Sequence, residues 1–515
     1  MRAHPSLATP SIWRVLAAGA ILLFPSPVAP QADEGAPDRG WRAEGTVTVS
    51  GGERVPYRSE VDRIILRDEG GQPTGEIWFT AYHRTDVRDA SQRPLLFAYN
   101  GGPGSSSFWL HMGVMGPQRV STPTTDHAGP PPFVLRENPH TLLDRVDIVM
   151  VDPVGTGFSR TLGDTPGSDF WGVEEDAEAL TQFVQRYLSR TQRWNSPKYL
   201  LGESYGTMRS AVLAETLQGA NIDLNGIVLV SAVLDLQTLI FSPGDDLPYI
   251  VNLPGYAVVS RYLGALPGEH PDLEEFMAEV EAFALGDYAA ALLKGSLLTE
   301  VERSNVLDRL QAYTGLSRGF LERADLRVTA PEFEQELLRE RGRVVGRLDA
   351  RFTGFADDPL GQNADYDPQS SAIRGAYTAA WNTYLRETLE YDGEREYVPS
   401  GNVQPWNWSY GANVGFGQTG LTNVGPALAR ALRRNPTLEV LLVNGLYDLA
   451  TPYFAAVWTM DHLGLPPELR DNIDRVDFEA GHMMYVHEPS LPRWRRALVA
   501  FIDRTSGRAA TRDDP

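Results

Sequence analysis

A serine with a glycine two residues to either side, Gly202-Glu203-Ser204-Tyr205-Gly206, constrains this chain more than any other stretch. Before it runs Lys198-Tyr199-Leu200-Leu201, short and apolar enough for a buried strand. After it, Met208, Ala211, Val212 and Leu217 recur at roughly helical spacing. A strand that reverses into a helix within so few residues brings the two backbones nearly into contact, and glycine leaves room for that. The sharp turn lifts the serine hydroxyl out of the sheet, where a base and a substrate carbonyl can both reach it.

The surrounding pattern tells what kind of sheet this is. Thr46–Val49, Arg63–Leu66 and Glu76–Tyr82 read as strands, separated by Gly51-Gly52 and Gly70-Gly71. Pro94–Tyr99 is a buried strand that opens into the glycine-rich loop Asn100-Gly101-Gly102-Pro103-Gly104, and Asp147–Asp152 is another. Glu174–Leu188 reads as an amphipathic helix, and Gly226–Val230 as the strand after the serine helix. Late in the chain, Leu438–Val443 opens into Asn444-Gly445-Leu446-Tyr447-Asp448, and Arg475–Phe478 opens into Glu479-Ala480-Gly481-His482. Leu491–Ile502 closes the pattern as a helix. Buried strands alternating with helices predict an α/β class and a mostly parallel central sheet with helices on both faces. With the serine turn, that is the α/β-hydrolase fold and its nucleophile elbow.

Between the two α/β parts the chain turns helical. Leu273, Phe276, Met277, Val280 and Phe283 form one stripe. Val301, Leu307, Leu310 and Tyr313 form another, and Phe333, Leu337 and Leu338 a third. Ile373, Tyr377, Trp381, Tyr384 and Leu385 mark the longest. The expected organisation is a core over 44–234 and 407–505, interrupted by a helical cap insertion over 235–406. A flexible leader is expected over 33–43 and a disordered tail over 506–515.

An unassisted serine hydroxyl is a poor nucleophile at neutral pH and needs a base held in one tautomer by a carboxylate. In this fold the chain order is Ser, acid, His. Asp448 and His482 follow Ser204 in that order, each just past a late strand, where chemistry collects in open α/β sheets. His482 is favoured over His487 and His462 because Gly481 permits a tight turn before it. Asp448 is favoured over Asp461, Asp474 and Asp477 by its place at a strand's end. One oxyanion donor is expected at the Tyr205 amide, and the second in the loop Asn100–Gly104.

Composition narrows the partners. The formal net charge of -21 argues against nucleic acid and anionic membranes. With 42% hydrophobic residues over 515 positions, there is ample material for a large core. The absence of cysteine excludes a thiol nucleophile, a thiolate metal site and disulfides, and points to a bacterial source more than a eukaryotic one. No cofactor or metal is expected. Arg2, His4 and Arg14 precede an apolar run, Val15–Phe24, broken by Pro25, Pro27 and Pro30. This reads as a signal peptide over 1–32, with cleavage near 29–36 and Ala29 and Ala32 as candidates; an uncleaved anchor is the alternative. The expected location is periplasmic or extracellular, with no membrane span after cleavage.

In five ordered segments the sequence resembles the serine carboxypeptidases, peptidase family S10. They are Asn100–Ser106, Asp152-Pro153-Val154-Gly155-Thr156-Gly157-Phe158-Ser159, Gly202–Gly206, Asn444–Asp448 and Gly481-His482-Met483. The resemblance implies Ser204 as nucleophile, His482 as base and Asp448 as its orienter. It implies an oxyanion hole at the amides of Gly102 and Tyr205. It further implies that Asn100 and Glu203 hold the terminal carboxylate of a peptide with a free C-terminus. Two carboxyl groups in contact share a proton, so Glu203 should have a raised pKa.

Three positions depart from the family pattern. Val114 stands where a Glu is usual, Ala98 where a Trp is frequent, and Ser105 where a Cys is usual. Val114 and Ala98 touch the positions that normally support the carboxylate clamp and would mute an acid preference. The expected activity is therefore release of C-terminal amino acids through an acyl-enzyme. An esterase or acyltransferase on the same scaffold is the alternative, and a non-catalytic binding protein the remote one.

Overall fold

Alternation along the central strands puts an apolar side chain on both faces of one sheet. The computed structural model describes residues 40–268, 270, 272–411 and 420–507. The expected signal segment, the leader as far as residue 39 and the tail from 508 lie outside the described residues. Nine strands form the path of the main sheet. They are β1 (Trp41–Thr48), β2 (Arg54–Arg67), β3 (Pro73–Arg84), β4 (Leu95–Tyr99), β5 (Asp147–Asp152), β6 (Lys198–Glu203), β7 (Gly226–Val230), β8 (Glu439–Gly445) and β9 (Ile473–Phe478). Their order is β1-β2-β3-β5-β4-β6-β7-β8-β9, with the short strand Arg160–Thr161 added beside β3.

The strands from β1 to β5 in this order pair antiparallel, and those from β5 to β9 parallel. In β4, Leu96 and Ala98 join one hydrophobic cluster, while Leu95, Phe97 and Tyr99 join the other. Ile148 and Met150 of β5 divide from Val149 and Val151 in the same way. This period of two is what a strand buried on both faces requires. Helices α1 (Val173–Thr191), α2 (Tyr205–Gly219) and α8 (Gly425–Arg434) supply the second face, and α9 (Leu491–Thr505) the first.

The chain between β7 and α8 divides between two cores. Helices α3 (Leu247–Tyr262), α4 (Leu273–Phe283), α5 (Glu300–Thr314) and α6 (Ala330–Glu336) enclose a third cluster, with Val251, Tyr256, Phe276, Leu307 and Phe333 inside. Thr299 with Glu302, and Thr329 with Glu332, close capping boxes at the starts of α5 and α6. The longest helix, α7 (Pro368–Glu387), instead lays Ala376, Tyr377, Trp381 and Tyr384 against the sheet. The block also contains an antiparallel ribbon, Arg343–Val345 with Thr353–Phe355, that the helical stripes did not announce. Val301, expected inside, is exposed, because it lies in the first turn of α5, ahead of the buried stretch that begins at Val306.

One boundary is corrected. The leader expected over 33–43 ends in strand, because Trp41, Arg42 and Ala43 pair with Val61, Glu60 and Ser59. The half-buried Trp41 ring stacks on Trp78 at 6.1 Å and meets Tyr391 at 4.5 Å, and its indole N–H donates to Asp392. An aromatic anchor of this kind gives a chain end enough buried area to hold a strand in register. Trp41→Ala should therefore lower unfolding stability by about 1–3 kcal/mol in urea titration, with the far-ultraviolet spectrum retained.

Candidate active site

Every element of the expected constellation comes from the C-terminal ends of parallel strands. Ser204 follows β6 with φ +61° and ψ −128°, a backbone conformation few non-glycine residues adopt. A methyl group on Gly202 would lie 2.1 Å from the Gly206 carbonyl oxygen, so the approach of strand and helix demands glycine there. The turn is held by Ser204 N–H donating to the Val230 carbonyl at 3.0 Å, and by Thr207 N–H donating to the Ser204 carbonyl at 2.8 Å. Ser204 is partly exposed, while Glu203 and Tyr205 on either side are buried.

Asp448 and His482 meet as expected. His482 Nδ1 lies 2.7 Å from Asp448 Oδ2, with both residues buried. The other oxygen, Oδ1, accepts from the Ala450 and Thr451 amides at 2.8 and 3.0 Å. The Thr451 hydroxyl lies 2.7 Å from Oδ2 and 2.9 Å from the Ser231 carbonyl, and can serve one of them. With Nδ1–H given to Asp448, Nε2 is left as the acceptor for a serine proton. Burial opposes charge on this imidazole, but Asp448 and then Glu203 outweigh it, and its pKa is raised above the ordinary 6.5. Ser231 ties the pieces together. Its hydroxyl donates to the His482 carbonyl at 2.7 Å, and its neighbour Val230 receives the Ser204 amide. The Ser204 hydroxyl has no hydrogen bond among the described residues.

Gly481 is needed for a reason other than the one expected. Its φ is not in the left-handed region; instead a methyl group there would lie 2.4 Å from the Asp349 Cβ and 2.5 Å from the Leu348 carbonyl oxygen. Leu348 in turn accepts from the His482 amide at 2.7 Å. The rival residues are engaged elsewhere. His487 bonds Ser490 at 2.7 Å, and His462 is exposed and stacked on Trp458. Asp474 pairs with Arg504, Asp477 pairs with Arg475 at 2.7 Å, and Asp461 is exposed at a helix end.

The glycine-rich loop after β4 packs onto the elbow. A methyl group on Gly101 would lie 2.5 Å from the Tyr205 nitrogen, which places this loop beside the first amide of α2. Neither the Gly102 nor the Tyr205 amide has an acceptor among the described residues, so both are free to serve an oxyanion at a helix N-terminus. The loop is clamped from behind, with Gly401 N–H donating to Gly104 and Ser106 N–H to Pro399, at 2.8 and 3.0 Å.

Asn100 and Glu203 are in contact. Asn100 Nδ2 donates to Glu203 Oε1 at 2.7 Å, while Asn100 Oδ1 accepts from the Leu110 amide at 3.0 Å. Burial pushes the Glu203 carboxyl up to about 7, against the opposing pull of His482, Tyr485 and Asn100. Tyr485 faces Glu203 outside hydrogen-bonding geometry, so Glu203 Oε2 and the Tyr485 hydroxyl are both buried without a partner. Val114 and Ala98 are fully buried and offer no polar side chain to this pair.

Sequence reasoning missed several supporting residues. Arg209 of α2 donates to Asp176 of α1 at 2.6 Å and to the Asn100 carbonyl at 2.7 Å, and its guanidinium stacks on Tyr99 and Tyr205. Arginine and aspartate on the buried faces of two apolar helices were the available signal. Tyr485, Ser231 and the segment 347–349 gave none, because each acts through a contact distant in sequence, and Thr451 was passed over although it lies three residues from Asp448.

The sheet order, the strained elbow and the Asp448–His482 pair define an α/β-hydrolase fold. A sequence model of the family described as Serine carboxypeptidase, Peptidase_S10, matches residues 69–243, which include the glycine-rich loop and Ser204. Serine carboxypeptidase-like 51 of Arabidopsis thaliana is 28% identical over 168 residues, 31% of this chain and 34% of that protein. Serine carboxypeptidase-like 45 of the same plant is 30% identical over 160 residues, 29% of this chain and 32% of its own. The chain thus spans about a third of the length of the curated relatives it matches. The crystal structure of Kex1(delta)p, a prohormone-processing carboxypeptidase from Saccharomyces cerevisiae, shares the fold at a TM-score of 0.53 and 16% identity, covering 89% of this chain and 93% of that one. Over residues 69–243, then, the chain is similar in sequence to the serine carboxypeptidases, and over most of its length it shares their fold.

Arg209→Met should leave Asp176 as an unpaired buried carboxylate and cost about 3–5 kcal/mol in urea titration. The double substitution with Asp176→Leu should recover most of that loss.

Proposed function

We propose that the chain is a serine-type exopeptidase that releases C-terminal amino acids from peptides through a covalent acyl-enzyme on Ser204. The observation that carries this reading is the buried Asn100–Glu203 contact immediately before the nucleophile, with Glu203 Oε2 left without a partner. A carboxyl group held near neutral pKa can share its proton with a second carboxylate, which is how a free C-terminus is told from an amide.

In the first half-reaction Ser204 Oγ attacks the scissile carbonyl carbon, and His482 Nε2 takes the hydroxyl proton. The amides of Gly102 and Tyr205 receive the oxyanion. The C–N bond then breaks, and His482 returns the proton to the leaving amine, freeing the terminal amino acid. Water repeats the sequence on the acyl ester. Asp448 stays ionised throughout and orients the imidazole. Export to the periplasm or the medium belongs to the same reading, supported by the apolar run Val15–Phe24 and its proline-rich end. The buried, apolar Val114 and Ala98, at positions where the resemblance leads one to expect support for the clamp, favour as a second reading an esterase that ignores the substrate's terminus.

Purified protein given N-blocked dipeptides should release the terminal amino acid, and Ser204→Ala should reduce the rate by about 10⁴-fold or more. C-terminal amides should be cleaved far more slowly than free acids; equal rates would select the esterase reading.

The pH profile follows from two groups. Glu203 titrates near 7, so rising pH ionises it and repels the terminal carboxylate. Falling pH protonates His482, whose pKa lies above 6.5 in part because ionised Glu203 is nearby. The productive form carries one proton on Glu203 and none on Nε2. For free-acid substrates kcat/KM should fall about tenfold per pH unit on the alkaline side. Glu203→Gln should remove that alkaline limb and leave the acidic limb nearly in place, because Glu203 already carries its proton there.

A further inference from the structure

One cation of the cap is tied to the loop that carries Asp448. Arg347 follows the ribbon strand Arg343–Val345, and its backbone bonds that loop directly. Its N–H donates to Asp367 Oδ1 at 2.8 Å, and its carbonyl accepts from Leu449, the residue after Asp448, at 3.0 Å. The next residue, Leu348, receives the His482 amide at 2.7 Å. A side chain mounted on such a backbone has its origin fixed relative to the imidazole.

The guanidinium itself is exposed and has no hydrogen bond or ion pair among the described residues. Two nearby carboxyl groups make no ion pair with it. Asp367 accepts from the amides of Arg347, Leu348 and Ser370 and so caps α7. Glu334 is buried, and burial pushes its carboxyl up to about 8, so it is neutral at pH 7. The charge nonetheless reaches the chemistry, since Arg347 opposes protonation of His482. A protein of net charge -21 repels an acidic peptide at long range. An exposed, unpaired guanidinium is a local exception to that net charge, and its planar fork matches a carboxylate.

We propose that Arg347 is a specificity-determining residue that binds a carboxylate side chain of the substrate, an aspartate or glutamate flanking the cleaved bond. This rests on the peptidase reading above, and it adds a charge preference that the Asn100–Glu203 contact does not supply. The substrate's terminal carboxylate is the other source of the same chemistry.

Binding to Ser204→Ala protein separates the two sources without relying on turnover. N-blocked dipeptides carrying Glu or Gln, either before the scissile bond or as the terminal residue, are titrated by calorimetry as free acids and as C-terminal amides. At one of the two positions Glu should bind about tenfold or more tightly than Gln, in acid and amide alike. Adding Arg347→Gln should bring that ratio near one, while Arg347→Lys should keep much of it; unchanged thermal midpoints would show both variants folded. The proposal is overturned if Arg347→Gln leaves the Glu/Gln ratio unchanged, if no preference for Glu exists, or if no peptide binds at about 1 mM. It is equally overturned if the substitution weakens every free acid relative to its amide, because the terminal carboxylate is then the ligand. Failure of the peptidase reading shows separately, as absence of turnover of these same peptides by protein that retains Ser204.

Discussion

The site depends on how closely β6 approaches α2. With no side chain at Gly202, the first turn of the helix sits directly on the strand end, and Ser204 is forced to φ +61°. Such a conformation costs about 1–3 kcal/mol and persists only where surrounding structure over-determines it. Here the surroundings are the parallel ladder to β7, the Thr207 and Ser204 backbone bonds, and the buried Arg209–Asp176 pair that fastens α2 to α1. The strain aims the hydroxyl outward, and the same reversal leaves the Tyr205 amide facing the loop at Gly101.

His482 is referred to this turn through its own backbone, which is bonded at both its N–H and its carbonyl. Ser231 joins the end of β7 to His482, and Leu348 joins the cap to the same residue. The cap is therefore mechanically continuous with the base it overhangs. Electrostatics add a second coupling, because the buried Glu203 and His482 each shift the other's titration. Glu203 and His482 thus titrate as a coupled pair, with Asn100 bonded to the carboxylate of Glu203.

What was readable in the sequence was local. The strand–Gly-x-Ser-x-Gly–helix segment, the apolar strands ending in Asp448 and His482, and the loop from Asn100 each carry their geometry within a few residues. Pro94–Tyr99 was legible as a buried strand, and the structure divides Leu96 and Ala98 from Leu95 and Phe97 between its two faces. What was hidden involves residues brought together over long separations. Trp41 reads as a leader residue until Trp78 and Tyr391 are placed beside it. Asp176 and Arg209 look like stray charges on apolar helices, and Val301 like a core residue, because a stripe does not say where a helix begins to face its partner. Gly481 was identified as necessary for the turn it makes, while the structure assigns the need to the pressure of Leu348 and Asp349.

The central claim is that Ser204 is a hydroxyl activated by His482, and covalent labelling reads this directly. Protein treated with a fluorophosphonate, digested and mapped by mass spectrometry should carry the adduct on Ser204, and His482→Ala should lose nearly all of it while remaining folded. An adduct on another serine, or equal labelling of Ser204 without the imidazole, would contradict the account.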